Sequence, residues 1–329
     1  LNIERRQFLC FKLKQNVYLN INFRIDEKVG NRIMKQKYFF GSLIGVILTL
    51  FIFVTGNSTV RADTKNIQVV SSVDFYGEAA QKVLGQYGTV KSVITNPNVD
   101  PHDYEPSAKV ATEVSKADLV VYNGIGYDSW MTKLAKNANV KSVRVGEDIL
   151  GKKNGDNPHL WYQSQTMPKL ANYLADKFSK IDPKHKAAFK ANAKKYIASL
   201  EPIQTKIKSL KKNSDNKLVD VSEPVFDYAL EELGYSENNT HFSKSVEDGT
   251  DPSPKDIKAM QDDIKNKKIS FFVQNTQATD KTVGQLVKLA KKHDVPVLNV
   301  TETMPKGKNY KQWMLSQYKQ LEKIQKSEQ

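Results

Sequence analysis

Hydrophobic positions follow two alternating patterns along the chain from residue 67 onward. Short runs rich in Val and Ile are separated by longer segments with the 3.6-residue periodicity of amphipathic helices. We predict strands at IQVVSSV, VKSVIT, DLVVYNG, VKSVRV, KLVDVS, ISFFVQ and VPVLNV, and helices at segments such as FYGEAAQKVLGQYG and DKTVGQLVKLAKKH. Strands alternating with helices are typical of βαβ units, so an α/β fold with mostly parallel sheets is expected.

The strand pattern is interrupted between Thr166 and Lys212. In this gap, seven apolar residues recur at spacings of 4 and 3, which predicts one face of a long helix. They are Phe189, Ala193, Tyr196, Leu200, Ile203, Ile207 and Leu210. Pro202 lies within this helix and is expected to kink it or shift its register. The pattern predicts a rigid helix joining two lobes, although a packing helix within one domain would give the same pattern.

These patterns divide the chain into five segments. Residues 34–62 have the basic start, apolar run and small-residue end of an export signal, although the run is long enough for an uncleaved membrane anchor. Residues 1–33 begin with Leu and lack clear periodicity, so we interpret them as sequence upstream of a start at Met34. The remaining predictions are an N-terminal lobe over 63–183, a linking helix over 184–212 and a C-terminal lobe over 213–329.

Composition limits the function classes. The 329 residues are 39% hydrophobic and 26% charged, as in a folded protein, and residues 63–329 retain 40 basic and 33 acidic residues, a net charge of +7. The lysines are spread over predicted helices without interleaved stacking aromatics, so solvated faces beside an anionic cell surface are expected, not a nucleic-acid site. The sole cysteine, Cys10, precedes both predicted lobes, so a metal site there must use nitrogen and oxygen ligands.

Four polar residues follow predicted strands directly or lie in the loops downstream of them: His102, His159, Glu223 and Glu302. In open parallel sheets, ligands bind beyond the carboxyl ends of the strands. Two imidazoles and two carboxylates drawn from both halves would form a mixed site that suits a divalent metal ion. Each residue alone also fits a structural role, since loop histidines are commonly solvated and a Glu after a strand can cap the next helix.

Four motifs occur in a characteristic order along the chain. DPHDYEP around His102, NPHLWY around His159, SEPVFDYALEELGY around Glu223 and DGTDPSPKDI at 248–257 resemble the signatures of the metal-binding solute-binding proteins of zinc and manganese ABC importers. The likeness runs from about residue 67 to the C-terminus. It implies two (β/α) lobes joined by one long rigid helix, with one divalent metal ion, Zn²⁺ or Mn²⁺, as cargo in the cleft. The partners it implies are a membrane permease and its cytoplasmic ATPase.

The resemblance also assigns metal ligands. His102 and His159 match the family's two N-lobe histidine ligands, and Glu223 matches the third position. The family's fourth ligand is usually an aspartate near the end of the last strand. The corresponding segment here, VTETMP, has no aspartate, so Glu302 is expected as the fourth ligand, with water as the alternative. Three acids flank His102 and could either orient its imidazole through hydrogen bonds or cap the loop: Asp100, Asp103 and Glu105.

Metal identity, anchoring and two alternative functions stay open. Two imidazoles and two carboxylates accept both ions, although zinc is favoured on affinity, and binding should weaken below the usual imidazole pKa of about 6.5. The predicted signal ends at Ala62 without a lipobox cysteine, so a surface anchor, free secretion and a periplasm are all compatible. A monomeric, non-enzymatic transport protein is expected. The alternatives are a surface adhesin with the same body, or a zinc metallohydrolase, although no HExxH motif is present.

Overall fold

The computed structural model describes residues 66–277 and 280–328. The predicted export signal at 34–62 and the interpreted upstream segment at 1–33 lie outside these residues. In the two described ranges, no helix is long and apolar enough to cross a membrane. The same ranges contain eight strands in two sheets.

The first sheet is parallel, with strand order β2-β1-β3-β4. Its strands are β1 (Ile67–Val73), β2 (Gly88–Ile94), β3 (Leu119–Tyr122) and β4 (Ser142–Arg144). Its helices are α1 (Asp74–Leu84), α2 (Ala108–Ser115), α3 (Ser129–Asn137) and, after β4, α4 (Thr166–Ile181). The central strands β1 and β3 are buried along almost their whole length, which explains why their sequences read as continuous apolar runs.

The second sheet repeats this topology, with parallel strands in the order β6-β5-β7-β8. Its strands are β5 (Leu218–Val221), β6 (Ser236–Glu237), β7 (Phe272–Asn275) and β8 (Val297–Val300). Its helices are α7 (Asp227–Leu233), α8 (Thr240–Glu247), α9 (Pro254–Lys265), α10 (Lys281–Lys292) and α11 (Tyr310–Ser327). Two parallel α/β lobes confirm the predicted fold class.

The segment between the sheets that was predicted as a linking helix over 184–212 is helical in two parts. It consists of two consecutive helices, α5 (Lys186–Ser199) and α6 (Glu201–Leu210), separated at Leu200. Pro202 lies in the first turn of α6, where its missing N–H costs no hydrogen bond. The break at Leu200, which itself has αR dihedrals, lies beside Pro202, where a kink or a shift of register was expected. The two helices are therefore consistent with a long linking segment, and its rigidity stays a prediction.

The larger of two hydrophobic core clusters in the described residues contains residues from both sheets. Phe75 of α1 lies 4.9 Å from Trp161 and 5.6 Å from Trp313 of α11, measured between ring centroids. Tyr310, at the start of α11, donates its hydroxyl to the Trp161 carbonyl at 2.6 Å. The C-terminal helix thus packs on residues of the first lobe, and the lobes are joined by shared aromatic packing as well as by α5 and α6.

Candidate metal centre

His159 is fully buried and has one free ring nitrogen. Its Nδ1 lies 2.8 Å from Oδ1 of Asn157, whereas its Nε2 is buried without a hydrogen-bond partner among the described residues. Burial, which penalises the charged ring, lowers the pKa of His159 well below its usual value, and nearby His102 and Lys244 act in the same direction. A neutral, buried imidazole with an unused nitrogen is the form in which histidine binds a metal ion.

His102 reaches the same place from the loop after β2. The Asp100 carboxylate accepts the backbone N–H of His102 at 2.8 Å and so shapes the turn that presents the ring. The ring of Tyr127 meets the imidazole edge to face, with centroids 4.6 Å apart. Burial lowers the pKa of His102, although Asp100 and Asp103 oppose this effect, so this ring also tends towards its neutral form.

Glu302 comes from the second lobe, in the loop that follows β8. Oε1 of Glu302 accepts a hydrogen bond from the Tyr127 hydroxyl at 2.9 Å. Burial raises the pKa of Glu302 well above its usual value, and the acids Asp100, Glu247 and Glu223 add to this shift. Among the described residues no cationic side chain pairs with this carboxylate, because Tyr127 supplies a neutral donor, and a bound cation would offset the buried negative charge.

These three side chains converge. One ligand atom each from His102, His159 and Glu302 lie within 4.8 Å of one another, and no other group of three or more His, Cys, Asp or Glu side chains in the described ranges does so. Donors within this distance can surround one ion after small rotamer adjustments, since metal-ligand bonds of about 2.0–2.2 Å place neighbouring ligand atoms about 3–4 Å apart.

Glu247 also lies at this cluster, and sequence reasoning missed it. It is the last residue of α8, with a side chain 11% exposed; Oε1 lies 3.6 Å from Nε2 of His102, and Oε2 lies 3.9 Å from Nε2 of His159. Burial raises the pKa of Glu247 to about 7, with Glu223 the next largest cause. A carboxylate at a helix C-terminus is electrostatically unfavourable. Its position between two imidazoles therefore indicates a site for a cation.

Glu223 lies next to this cluster without being one of the three converging side chains. It follows β5 as expected, and its Oε2 accepts a hydrogen bond from Nδ2 of Asn275 at 2.7 Å. It lines a cavity together with Asp100 and Glu302. Burial raises the pKa of Glu223, and the amide of Asn275 opposes that shift. Its carboxylate therefore faces the same cleft but already has a partner.

The three acids flanking His102 differ in their surroundings. Asp100 caps the loop through its hydrogen bond to the backbone of His102, which is the loop-capping alternative considered from the sequence. Asp103 and Glu105 are exposed. Asp100 and Asp103 both act on the pKa of His102 through their charge. Orientation of the His102 ring by these carboxylates stays a prediction.

The loop that carries Tyr127 has an unusual backbone. Gly124, Ile125 and Gly126 all have positive φ, and for the β-branched Ile125, at +45°, this conformation is strained. Asp128 holds the loop by accepting the N–H groups of Asn123 at 2.8 Å and Gly124 at 2.9 Å. The hydrogen bonds of Asp128 offset this strain. In the resulting loop conformation, Tyr127 contacts His102, His159 and Glu302.

A second set of contacts crosses the cleft near His102. The carbonyl of Pro97 accepts hydrogen bonds from Oγ1 of Thr303, at 2.9 Å, and from Nε2 of Gln277. The Gln277 amide oxygen in turn accepts the backbone N–H of Glu302 at 2.7 Å. Gln277 therefore ties the loop after β2 to the loop that carries Glu302.

Two neutral imidazoles from the first lobe thus face acidic side chains from the second lobe. This arrangement of fold and site defines a two-lobed α/β protein with a candidate divalent-cation site between its lobes. The model of the family described as zinc-uptake complex component A, periplasmic (ZnuA), matches residues 69–324. The chain belongs to this family, and the resemblance inferred from its motifs is confirmed.

Individual relatives agree with this assignment. The metal ABC transporter substrate-binding lipoprotein SsaB of Streptococcus sanguinis is 26% identical over 261 residues, which cover 74% of this chain and 83% of the relative. The manganese ABC transporter substrate-binding lipoprotein PsaA of Streptococcus pneumoniae is 27% identical over 267 residues, covering 74% and 85%. The iron ABC transporter substrate-binding lipoprotein MtsA of Streptococcus pyogenes is 28% identical over 256 residues, covering 71% and 81%. These relatives are named as transport components, not enzymes.

Solved structures show the same fold. The periplasmic zinc-binding protein TroA of Treponema pallidum superposes with a TM-score of 0.66 at 16% identity, covering 79% of this chain and 99% of that protein. Zn(II)-bound AdcA of Streptococcus pneumoniae superposes with a TM-score of 0.62 at 22% identity, covering 79% and 58%. At these identities the likeness supports the fold and does not transfer ligands residue by residue.

Proposed function

We propose that this protein is an extracytoplasmic solute-binding protein that captures a divalent transition-metal ion and passes it to an ABC permease. The observation that carries the proposal is the buried, unpaired Nε2 of His159, which faces His102 and the carboxylates of Glu247 and Glu302. An unsatisfied buried nitrogen costs about 1–3 kcal/mol of stability. A bound cation would offset that cost.

The proposed ligands are His102, His159, Glu247 and Glu302, with Glu223 as a nearby acid. This revises the set expected from the sequence, in which Glu223 took the third position. Two carboxylates balance the charge of a dication, and the neutral imidazoles supply nitrogen donors that bind most first-row ions. Zn²⁺ should bind more tightly than Mn²⁺, because Mn²⁺ lies at the weak end of the Irving–Williams order. The ion carried in the cell also depends on which metal is available.

Delivery would require a permease and its cytoplasmic ATPase. The names of the relatives, all substrate-binding lipoproteins of ABC transporters, support this partnership and a place at the outer face of the cell. We propose that the protein acts there as a monomer beside the membrane surface. Release of the ion would require the imidazoles of one lobe to separate from the carboxylates of the other.

Metal content provides the direct test. Protein stripped with chelator and titrated with zinc is expected to bind one ion per chain, with manganese bound more weakly, because the described residues contain one converging group of donors, to which we add Glu247. Isothermal titration calorimetry, checked by elemental analysis of the loaded protein, measures both quantities. Absence of zinc binding in folded protein would refute the proposal.

The affinity is expected to depend steeply on pH near neutrality. In the metal-free protein, burial raises the pKa of Glu247 to about 7 and that of Glu302 well above its usual value, so both tend to be protonated. Metal binding must remove these protons. Each of the two carboxyl groups should therefore lower zinc affinity by about 10-fold for every pH unit below the pKa of that group. The histidines contribute only at lower pH, because burial lowers their pKa values. Zinc affinity should therefore begin to fall near pH 7, which is above the usual histidine pKa of about 6.5.

Calorimetry in buffers with different ionisation enthalpies measures the protons released per ion. We expect at least one proton per zinc ion at pH 6.5 and fewer at pH 8.5. Equal affinities at pH 6 and pH 8, with no proton release, would contradict the assignment of both carboxylates as ligands.

A further inference from the structure

The side-chain amide of Asn157 connects His159 to the opposite lobe. Its Oδ1 accepts the backbone N–H of His159 at 3.0 Å and lies 2.8 Å from Nδ1 of the same residue. Its Nδ2 donates to the carbonyl of Pro224 at 2.7 Å and to Oδ2 of Asp227 at 3.2 Å. Pro224 and Asp227 belong to the second lobe, just after β5. One amide group therefore touches a proposed metal ligand on one side and the facing lobe on the other.

The orientation of this amide follows from its fixed partners. A backbone N–H can only donate, so the amide atom facing the backbone of His159 is the oxygen. The carbonyl of Pro224 can only accept, so the atom facing it is the NH₂ group. Nδ1 of His159 then faces an acceptor and must carry the ring proton. In the neutral ring this leaves the lone pair on Nε2, the nitrogen that faces the proposed metal site.

We propose that Asp227 is a positioning residue of the metal site, which holds Asn157 from across the cleft in the one amide orientation that keeps Nε2 of His159 free to bind metal. The proposal rests on the proposed function, in which His159 is a ligand. Asp227 acts through Asn157, and the Pro224 carbonyl acts with it. Contact between the lobes thereby sets the tautomer of a histidine in the first lobe.

The surroundings of Asp227 support this role. Its Oδ1 is buried without a hydrogen-bond partner among the described residues, so the carboxyl group is desolvated while its other oxygen receives the Asn157 amide. Burial raises the pKa of Asp227 to about 8, and a protonated carboxyl still accepts through its carbonyl oxygen. The next residue, Tyr228, donates its hydroxyl to the backbone carbonyl of Asn157 at 2.9 Å. Helix α7 thus holds Asn157 at both its side chain and its backbone.

Loss of the Asp227 acceptor has a specific expected consequence. With one of its two acceptors gone, the Asn157 amide can turn its NH₂ group towards Nδ1 of His159. Nδ1 then accepts a hydrogen bond, and the ring proton of His159 moves to Nε2. A protonated Nε2 cannot bind metal. Removing hydrogen-bond partners of a metal-bound histidine costs about 10–100-fold in affinity. We expect a value near 10-fold, because the Pro224 carbonyl and the backbone N–H of His159 still favour the original orientation.

Three variants test the proposal. Asp227→Leu removes the acceptor at similar size, Asp227→Asn can restore it through an amide oxygen, and Asp220→Leu is the matched control. Asp220, a fully buried acid of the second lobe, resembles Asp227 in having one buried carboxylate oxygen without a hydrogen-bond partner among the described residues and a pKa raised by burial, here to about 7, but its hydrogen-bond partner is Asn238. Zinc affinity is measured by chelator competition, and the His159 tautomer by ¹H–¹⁵N correlation of the imidazole in metal-free protein.

We expect wild type, Asp227→Asn and Asp220→Leu to carry the His159 proton on Nδ1 and to share one affinity. Asp227→Leu should bind zinc about 10-fold more weakly and show a protonated Nε2 population. Wild-type affinity in Asp227→Leu, or a loss with an unchanged tautomer, would overturn the proposal. If Asp227→Leu does not fold, the wild-type protein decides, since a proton on its Nε2 refutes the proposal. Failure of wild type to bind zinc would instead refute the proposed function, because the tautomer is read without metal.

Discussion

Replacement of His159 by leucine is expected to lower zinc affinity by about 100-fold or more while leaving the metal-free protein as stable as wild type, or more so. A four-ligand zinc site contributes about 10–16 kcal/mol, so each ligand accounts for roughly 3 kcal/mol, or about 100-fold in affinity. In the metal-free protein Nε2 of His159 is buried without a hydrogen-bond partner in the part of the chain that the structure describes, and leucine removes this nitrogen at similar size. The substitution should therefore lower zinc affinity while the stability of the metal-free protein stays the same or rises.

Chelator competition and thermal unfolding of stripped protein measure these two effects. His241→Leu is the control, because His241 is 79% exposed and bonds Asp256, away from the cluster. The control should retain wild-type affinity. Strong destabilisation of metal-free His159→Leu together with retained zinc binding would show that His159 is a packing residue and not a ligand.

The second large effect is expected at Glu247. Glu247→Gln keeps the shape of the side chain but removes the negative charge of a carboxylate whose Oε1 lies within 4 Å of His102 and whose Oε2 lies within 4 Å of His159, so zinc affinity should fall by about 100-fold. Glu223→Gln is its matched partner. The Glu223 carboxylate already accepts a hydrogen bond from Asn275, so its loss should reduce affinity by less than about 10-fold, the lower bound for a residue beyond the ligands.

Calorimetric titration of the two variants and of wild type with zinc shows which of the two carboxylates contributes more to zinc affinity. A larger loss in Glu223→Gln than in Glu247→Gln would restore the ligand set expected from the sequence. Equal, large losses would mean that both carboxylates bind the ion. Circular dichroism and thermal unfolding of the stripped variants establish that each difference arises at the site.

Much of the fold could be predicted because buried parallel strands have a distinctive composition. Each of the seven predicted runs overlaps a strand, and the strand that was missed, β6, is two residues long. Local composition cannot predict which strands are neighbours or how the lobes share a core. The aromatic contacts of Phe75 with Trp161 and Trp313 join residues that are far apart in the sequence.

The candidate site was predicted in part because three of its residues lie after predicted strands. The rule that ligands bind beyond strand ends identified His102, His159 and Glu302, which the structure brings together. Glu247 lies at the end of a helix, so this rule could not find it. The available signal was its position directly before the DGTDPSPKDI motif. Asn157 and Asp227 act through contacts across the cleft, which no local pattern reveals.

A zinc-edge anomalous map of the metal-loaded protein locates the ion relative to its proposed ligands. We expect one strong peak bonded, at about 2.0–2.2 Å, to Nε2 of His102, Nε2 of His159 and a carboxylate oxygen each of Glu247 and Glu302. A peak elsewhere, or one bound to the histidines with both carboxylates turned away, would contradict a site shared between the two lobes.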